Sequence, residues 1–436
     1  MKPPVFLRHL GGRFGRGVFW NLIGTLFAQG SVFLTAIILA RLLGKEVFGE
    51  LGMIQSTLLT LTSIAQVSTG LTATKYVAEF RDADKARAGR VLGLCSVLTL
   101  ATGVVATVLL LISAPWVAEH MLAAPHLAVS LAISAAFVLF SVMNGYQIGA
   151  LAGLESYKSI SVYGALLGAA HLVVCGLGGM LWGLHGALGG MAVSALLRWG
   201  VYGLVLHREI NKQGITIQRK EGLKERDVLH RFALPAALSG LTAMPAIWLG
   251  NALLVQQPNG YAEMGLFSAV NNIRTLMLMM PALLNSVGVA VLTNKFGNRD
   301  GDGYLGLYYA NVKMTGALAL VGTTLMMMLA GVIPGWYGME SSDSSEMLIL
   351  ILSLAIIPEV LAVSLYQLIQ TSGRMWASFF LVALPRDLSM IALATILIPK
   401  WGGAGWALAY TLSWGIALAV IAALVSRFKS QLKFKS

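Results

Sequence analysis

Apolar residues run along this chain in stretches about as long as a bilayer is thick, separated by short polar turns. A helix needs roughly 20 apolar residues to cross a bilayer. Twelve stretches meet this length, near 18–40, 50–72, 91–113, 128–150, 159–181, 184–206, 232–255, 264–292, 307–333, 347–371, 377–398 and 404–426. The pattern predicts twelve membrane-spanning helices, because backbone groups in hydrocarbon must find partners within the protein.

The twelve stretches form two sets of six, and the second set repeats the first. The matched segments are 182–187 (Trp-Gly-Leu-His-Gly-Ala) with 401–406 (Trp-Gly-Gly-Ala-Gly-Trp), the Tyr-Gln pair at 146–147 with that at 366–367, and more loosely 48–52 with 261–265. The matches keep one order and nearly one offset. Many transporters are built from such internal repeats. The repeat therefore predicts two pseudo-symmetric six-helix lobes around a central cavity.

The positions of Lys and Arg set the orientation. With the N-terminus inside, 25 of the 31 fall in inner segments, whereas only Arg41, Lys45 and Lys400 fall in outer ones. This asymmetry is the positive-inside signal and places both termini in the cytoplasm. The predicted parts are a basic N-terminal segment 1–17, an N-lobe 18–206, a cytoplasmic linker 207–231, a C-lobe 232–426 and a basic cytoplasmic tail 427–436. We expect the linker to form an amphipathic surface helix.

Composition agrees with a lipid environment. Hydrophobic residues make up 57% of the chain and charged residues 11%, less than half of the roughly 25% in soluble domains. We interpret the net charge of +12 as topology signal and attraction to anionic lipids, and we expect no nucleic-acid partner. Cys95 and Cys175 lie inside predicted helices, where they serve as small apolar packing residues.

Several classes of chemistry have no motif in this sequence. It has no phosphate-loop signature, no His-Glu-x-x-His pair and no cluster of Cys and His with metal-binding spacing. The loops are short, whereas a membrane enzyme acting on sugars or lipids usually needs a sizeable outer loop. We therefore expect no enzyme, no catalytic residues, no metal and no cofactor beyond a coupling proton or sodium ion.

Charged residues inside membrane helices are the candidates for function, because each is costly unless it faces a wet cavity or a partner. Arg274 in predicted helix eight is the sharpest case, with Asn271 and Asn272 in the same polar stripe. Its planar donors suit phosphate oxygens. The alternative is an arginine that reaches the headgroups with its long side chain. The other cations assigned to substrate binding are Arg386, Arg198, Arg41 and Lys75.

Two acids lie well inside the apolar zone, Glu359 and Asp387. Either can bind a coupling proton or cation, or can serve as a structural partner of an arginine. Because Arg386 and Asp387 are adjacent, helix geometry predicts that they lie on different faces. One would then point to the cavity and the other to a neighbouring helix, and either could pair with Glu359.

Proline is predicted to interrupt helices of the second half only. The candidate hinges are Pro235, Pro245, Pro281, Pro358 and Pro385. Proline kinks a helix and frees a carbonyl group. The second lobe is therefore expected to bend during transport, and static kinks that merely shape a cavity are the open alternative.

Five short segments together resemble the polysaccharide transport family. They are 39–49 (Leu-Ala-Arg-Leu-Leu-Gly-Lys-Glu-Val-Phe-Gly), 70–79, 153–158, 232–236 and 265–269. That family holds flippases for O-antigen and other lipid-linked oligosaccharides, and belongs to the multidrug, oligosaccharidyl-lipid and polysaccharide exporter (MOP) superfamily. The resemblance implies a cationic cavity between two lobes and a polyprenyl-diphosphate-linked glycan as cargo. It also implies that Arg274 matches a cavity arginine of helix eight.

The function expected from this resemblance is export of a lipopolysaccharide, capsule or exopolysaccharide repeat unit across a bacterial inner membrane by alternating access. The expected partners are membrane lipid, the lipid-linked glycan, a glycan polymerase and other envelope-assembly proteins. Without ATP motifs, the drive must come from an ion gradient, the membrane potential or consumption of the glycan. Two alternatives stay open: an ion-coupled multidrug or small-solute exporter of the same fold, and a membrane glycan polymerase or ligase.

Overall fold

The computed structural model describes residues 13–225, 227, 242–297, 301–371 and 379–431. Every regular element within these ranges is a helix. The chain divides into two compact units, one of Leu10–Trp248 (the N-unit) and one mainly of Leu249–Ser436 (the C-unit). The lobe and linker boundaries taken from the sequence stay predictions.

The described part of the N-unit contains six helices that precede the one in which the boundary between the units falls. They are α1 (Arg13–Leu43), α2 (Lys45–Gln66), α3 (Thr69–Phe80), α4 (Lys85–Trp116, extended by a π-helical turn Val117–Met121), α5 (Leu127–Gly153) and α6 (Tyr157–Gln213). Buried apolar side chains such as Val77, Val91, Leu151 and Ile210 join α3, α4, α5 and α6 in one core. The extent of predicted helix two is wrong, because Val67 and Ser68 adopt positive φ and end α2 before α3 begins.

The remaining helices follow in the same order as the predicted segments. They are α7 (Ala243–Val255), within which the units divide, α8 (Gly260–Gly297), α9 (Gly301–Met328), the short α10 (Ile333–Trp336), α11 (Asp343–Leu354), α12 (Ile356–Thr371) and α13 (Leu384–Gln431), preceded by a π-helical turn Phe379–Ala383. Buried residues of α8, α9, α12 and α13, among them Leu292, Tyr308 and Ile421, form the core of the C-unit.

The internal repeat is visible in the backbone itself. Inside α6, Gly183 adopts φ 57° and ψ −136°, and inside α13, Gly402 adopts φ 51° and ψ −127°. Only glycine enters this region readily. Three residues beyond each bend, a Cβ on Gly186 or Gly405 would overlap a facing carbonyl oxygen. The repeated Trp-Gly segments therefore encode the same sharp bend in both units.

The bends reconcile the helices with the predicted number of spans. By length and composition, seven of the described helical stretches can cross a membrane. Two of these, α6 and α13, each hold two spans joined at a bend. With α7, α8 and α9, and with α11 and α12 as one broken span, the described helices follow the twelve predicted segments in order. Long apolar side chains such as Ile112, Leu204 and Met328 are more than 70% exposed, as lipid-facing positions are. The chain is a multi-pass, all-α membrane protein.

The described part of the linker is not the expected amphipathic helix. Gly214 ends α6 in the left-handed conformation, and 215–221 then runs across α4. A Cβ on Gly89 or Gly93 would overlap backbone oxygens of this segment. Because these two positions lack side chains, the backbone can lie flat on α4, where Gln218 N donates to Gly89 O at 3.1 Å.

A buried carboxylate holds the end of this segment. Glu225, in a short 3₁₀ turn, is 7% exposed. It accepts hydrogen bonds from Arg87 at 3.1 Å and Arg90 at 3.0 Å, both on α4. The described part of the linker is thus held against the N-unit by charge as well as by backbone packing.

The expected asymmetry of internal prolines is only partly present. Of the candidate hinges that are described, Pro281 lies in the interior of α8, and Pro385 lies inside the continuous helical stretch Phe379–Arg427, directly after its π-helical turn. Pro245 and Pro358 stand in the first turns of α7 and α12, where a missing N–H group is tolerated. Pro235 lies outside the described residues. The expectation that no first-half helix carries a proline is wrong, because Pro115 lies inside α4.

Candidate functional site

Arg274 lies inward in the C-unit, with 6% of its surface exposed, which argues against an arginine that reaches for headgroups. Asn271, one turn earlier on α8, accepts hydrogen bonds from Arg274 Nε at 3.1 Å and from Arg274 Nη2 at 2.8 Å. Nη1 donates to Glu359 of α12. Tyr410 of α13 donates its hydroxyl to the same carboxylate oxygen at 3.2 Å. Three helices therefore converge on one buried ion pair.

An aromatic column on α13 carries this pair. Trp406, Tyr410 and Trp414 are spaced by four residues, so they lie along one face of the helix. Successive ring centroids are 6.4 Å apart, with the first pair edge to face and the second tilted. The guanidinium of Arg274 lies 4.6 Å from the centre of the Tyr410 ring, within cation–π range. Trp406 is fully buried and donates Nε1–H to Asn251 at 2.9 Å. The column is therefore anchored at one end.

Arg386 packs against the next ring of the column, that of Trp414. Its guanidinium lies 4.6 Å from the centre of the Trp414 ring, and its Nε donates to Asp387 Oδ1 at 2.7 Å. The expectation that the two adjacent residues point to different surroundings is therefore wrong. The long arginine side chain folds back to its neighbour. Asp387 is 2% exposed, and its Oδ2 has no hydrogen-bond partner among the described residues.

The charge of this arrangement differs from the mainly basic site that the sequence predicts. Each arginine faces one carboxylate, Arg274 with Glu359 and Arg386 with Asp387. With both acids ionised, the four residues carry no formal net charge. The arginines can bind an anion only if it displaces a carboxylate, or if the carboxylate is neutralised.

A buried amide network lies between α8, α9 and α12. Asn285 Oδ1 accepts from Asn311 at 2.9 Å, from Gln367 at 2.7 Å and from Ser364 at 3.1 Å. Ser364 also bonds to Thr315 at 2.8 Å. The network links α12, the helix that carries Glu359, to α8 and α9 by side-chain hydrogen bonds, although Asn311 Oδ1 has no hydrogen-bond partner among the described residues. Sequence reasoning marked Gln367 only as part of the repeat.

The other predicted residues have different contacts within their own units. Asn272 faces the Tyr337 hydroxyl. In the N-unit, Arg41 is exposed in the last turn of α1, and the Lys75 ammonium on α3 lies 4.9 Å from the centre of the Tyr76 ring. Arg198 is on α6. Within the C-unit, the structure thus brings together Arg274, Asn271, Glu359, Arg386 and Asp387 on one aromatic column.

Tyr410 and Trp414 were missed by the sequence reasoning. Their spacing of four residues after Trp406 is the signal that could have found them, since residues so spaced share a helix face. That signal shows a stripe of aromatic residues but does not say which cations lie against it.

Comparisons with known proteins agree on family and fold. The family model described as polysaccharide biosynthesis protein matches residues 14–294. No curated protein sequence matches the chain. Among solved structures, a multidrug resistance MATE family transporter of the MOP superfamily in an inward-facing conformation has a TM-score of 0.78 at 19% identity, over 95% of this chain and 99% of the other.

Two further structures are similar over almost the full length of both chains. A MOP superfamily transporter from Pyrococcus furiosus, described as having a binding pocket of reversed polarity, has a TM-score of 0.73 at 18% identity, covering 99% of this chain and 100% of the other. An outward-facing MATE transporter has a TM-score of 0.71 at 18% identity, covering 100% of both. At these identities the likeness shows a shared fold.

Proposed function

Since the chain belongs to the polysaccharide biosynthesis protein family and has the fold of MOP superfamily transporters, we propose that it is a lipid-linked oligosaccharide flippase. The cargo is a polyprenyl-diphosphate-linked glycan, such as an O-antigen, capsule or exopolysaccharide repeat unit. It moves from the cytoplasmic to the outer leaflet of a bacterial inner membrane by alternating access. In this proposal the protein makes and breaks no covalent bond, and both termini are cytoplasmic.

The observation that supports this cargo most is the pair of guanidinium groups on one aromatic column. Arg274 on Tyr410 and Arg386 on Trp414 lie against neighbouring rings of α13. Each guanidinium packs against the face of one aromatic ring, so its N–H groups point outward from the contact and can donate to oxygen acceptors. Guanidinium donors match phosphate oxygens two at a time. Two such groups suit a diphosphate, which carries charge on both phosphates.

Binding proceeds by exchange of partners. The diphosphate takes the place of Glu359 on Arg274, while Asn271 keeps holding the other side of the guanidinium. The released carboxylate is buried and unpaired, which is unfavourable, so it takes up a proton or a sodium ion. Asp387 behaves in the same way beside Arg386. Loading of the anion and uptake of a coupling cation therefore favour each other by linkage.

The test is a flipping assay with purified protein in proteoliposomes. A fluorescent polyprenyl-diphosphate oligosaccharide is offered on one leaflet, and its arrival in the other is followed by quenching. Arg274→Gln removes charge-assisted hydrogen bonds worth about 1.5–3 kcal/mol, so we expect roughly a ten- to hundred-fold weaker apparent affinity. Lys400→Gln removes the same charge from an exposed outer position and should flip normally. Normal flipping by folded Arg274→Gln contradicts the proposed role.

One other function has specific support. The same fold serves multidrug resistance MATE transporters, and two carboxylates of the C-unit, the half-buried Glu359 and the buried Asp387, can pair with organic cations. An organic-cation exporter would move a dye such as ethidium in the same vesicles and would lose this activity in Glu359→Gln. Dye transport without glycan flipping selects this alternative.

A further inference from the structure

A second polar cluster lies in the N-unit. Ser194, Arg198 and Tyr202 follow one another at intervals of four residues on the second half of α6, so they share one face. His171 and Cys175 have the same spacing on the first half. His171 Nδ1 lies 3.0 Å from Ser194 Oγ and 3.5 Å from Cys175 Sγ. Arg198 stands one helical turn after Ser194, on the face that meets His171.

Close backbone packing brings the two halves of α6 together. A Cβ on Gly178 would overlap Gly186 O, and one on Gly190 would lie 2.9 Å from Cys175 Cα. Small residues at such contacts let helices approach until side chains can bond across them. The bend at Gly183 turns the chain back on itself, and these glycines then set the distance at which Ser194 meets His171.

Arg198 differs from the two arginines of the C-unit. It lies in the middle of the second half of α6 and is partly buried. Arg274 and Arg386 each have a carboxylate, whereas Arg198 has no ion pair or hydrogen bond with any residue that the structure describes. The Tyr202 hydroxyl donates to Ile160 O at 3.0 Å, so it already has an acceptor. A guanidinium in a membrane helix is unfavourable without an anionic partner.

We propose that Arg198, Ser194 and His171 form an oxyanion site that takes a phosphate group. The Arg198 guanidinium supplies the charge and two parallel donors. With the proton of His171 on Nδ1, the ring donates to Ser194 Oγ, and the serine hydroxyl donates to a phosphate oxygen. The phosphate comes from a lipid headgroup or from the diphosphate of the cargo, and only the second source rests on the proposed function.

The site is tested by ligand binding to the full chain in nanodiscs, in an Arg274→Gln background that weakens the C-unit site. One arm titrates farnesyl diphosphate into phosphatidylcholine nanodiscs. The other arm replaces phosphatidylcholine by phosphatidylglycerol and counts retained lipids by native mass spectrometry. Arg198→Gln is compared with Arg208→Gln, which removes the same charge from an exposed position on the same helix.

We expect Arg198→Gln to weaken binding at least ten-fold in one arm and Arg208→Gln to change neither. Loss in the diphosphate arm identifies cargo as the source, and loss in the phosphatidylglycerol arm identifies the headgroup. Ser194→Ala should weaken the same arm about three-fold, since a neutral hydrogen bond contributes less than a charged one. If Arg198→Gln fails to fold, the Ser194→Ala result tests the site in its place. Arg198→Lys, which keeps the positive charge, is then the control.

Unchanged binding in both arms by folded Arg198→Gln, or by Ser194→Ala in its place, overturns the site. The proposed function fails separately. If a single Arg274→Gln variant flips glycan normally while Arg198→Gln loses phosphatidylglycerol, the N-unit site stands without the flippase proposal. If Arg274→Gln abolishes flipping and Arg198→Gln binds normally, the reverse holds.

Discussion

Substitution of Glu359 by Gln is predicted to lower stability and raise anion affinity together. Glu359 is the carboxylate of the Arg274 pair and also accepts from Tyr410. Glutamine keeps the shape and one acceptor oxygen but removes the negative charge. Arg274 is then a buried cation held by Asn271 and the Tyr410 ring, with its outer edge open to another anion.

The size of the effect follows from the contacts that remain. Loss of one partner from a buried ion pair usually costs about 3–5 kcal/mol. Two hydrogen bonds to Asn271 and a cation–π contact stay in place, so we expect the lower end, about 3 kcal/mol. At roughly 2–4 °C for each kcal/mol in a unit of this size, the melting temperature should fall by about 6–12 °C. A ten-fold gain in affinity would return about 1.4 kcal/mol of this at saturating anion.

The assay is thermal unfolding of the purified protein with and without farnesyl diphosphate. Glu359→Gln should melt at a lower temperature than wild type without the ligand, and the ligand should raise its melting temperature more than that of wild type, because no carboxylate then competes for Arg274. Glu340→Gln, an exposed neutralisation, is the control. Equal melting temperatures and equal ligand shifts in wild type and Glu359→Gln would refute the exchange.

Two further predictions concern the scaffold. Gly402→Ala places a Cβ against Glu263 at φ 51° and should lower the free energy of unfolding by about 1–3 kcal/mol or more. Gly415→Ala, on the same helix, has open space around the new Cβ and should be neutral or slightly stabilising. Equal effects of the two substitutions in thermal unfolding would contradict the need for glycine at the bend. Glu225→Gln removes the negative charge and leaves one acceptor oxygen in place of the two that bind Arg87 and Arg90. It should speed tryptic cleavage of the linker, while unchanged cleavage would show that backbone packing alone holds it.

The sequence predicted the fold well because it depends on patterns along the chain. Apolar length gave the order and number of helices, and the repeated Trp-Gly segments marked the positions of the bends at Gly183 and Gly402. Glycine at these points has a local cause, since other residues avoid that backbone region. Pro358 was misread because sequence alone could not show that its helix begins two residues earlier.

The site was harder to predict because it depends on which helices meet. Arg274 and Glu359 lie 85 residues apart, and nothing local links them. Helix geometry predicted that Arg386 and Asp387 diverge, yet an arginine side chain is long enough to reach back to its neighbour. Arg274 and Arg386 lie close together because each packs against a ring of the column formed by Trp406, Tyr410 and Trp414. The sequence shows the four-residue spacing of these rings but not the arginines that contact them.

The measurement that tests the central claim most directly is glycan flipping by the Arg274→Gln and Arg386→Gln double variant in proteoliposomes, beside wild type and Lys400→Gln. If the two guanidinium groups on the aromatic column carry the diphosphate, the folded double variant should flip no faster than protein-free vesicles, and the control should match wild type. Flipping by the double variant at the wild-type rate would contradict the account.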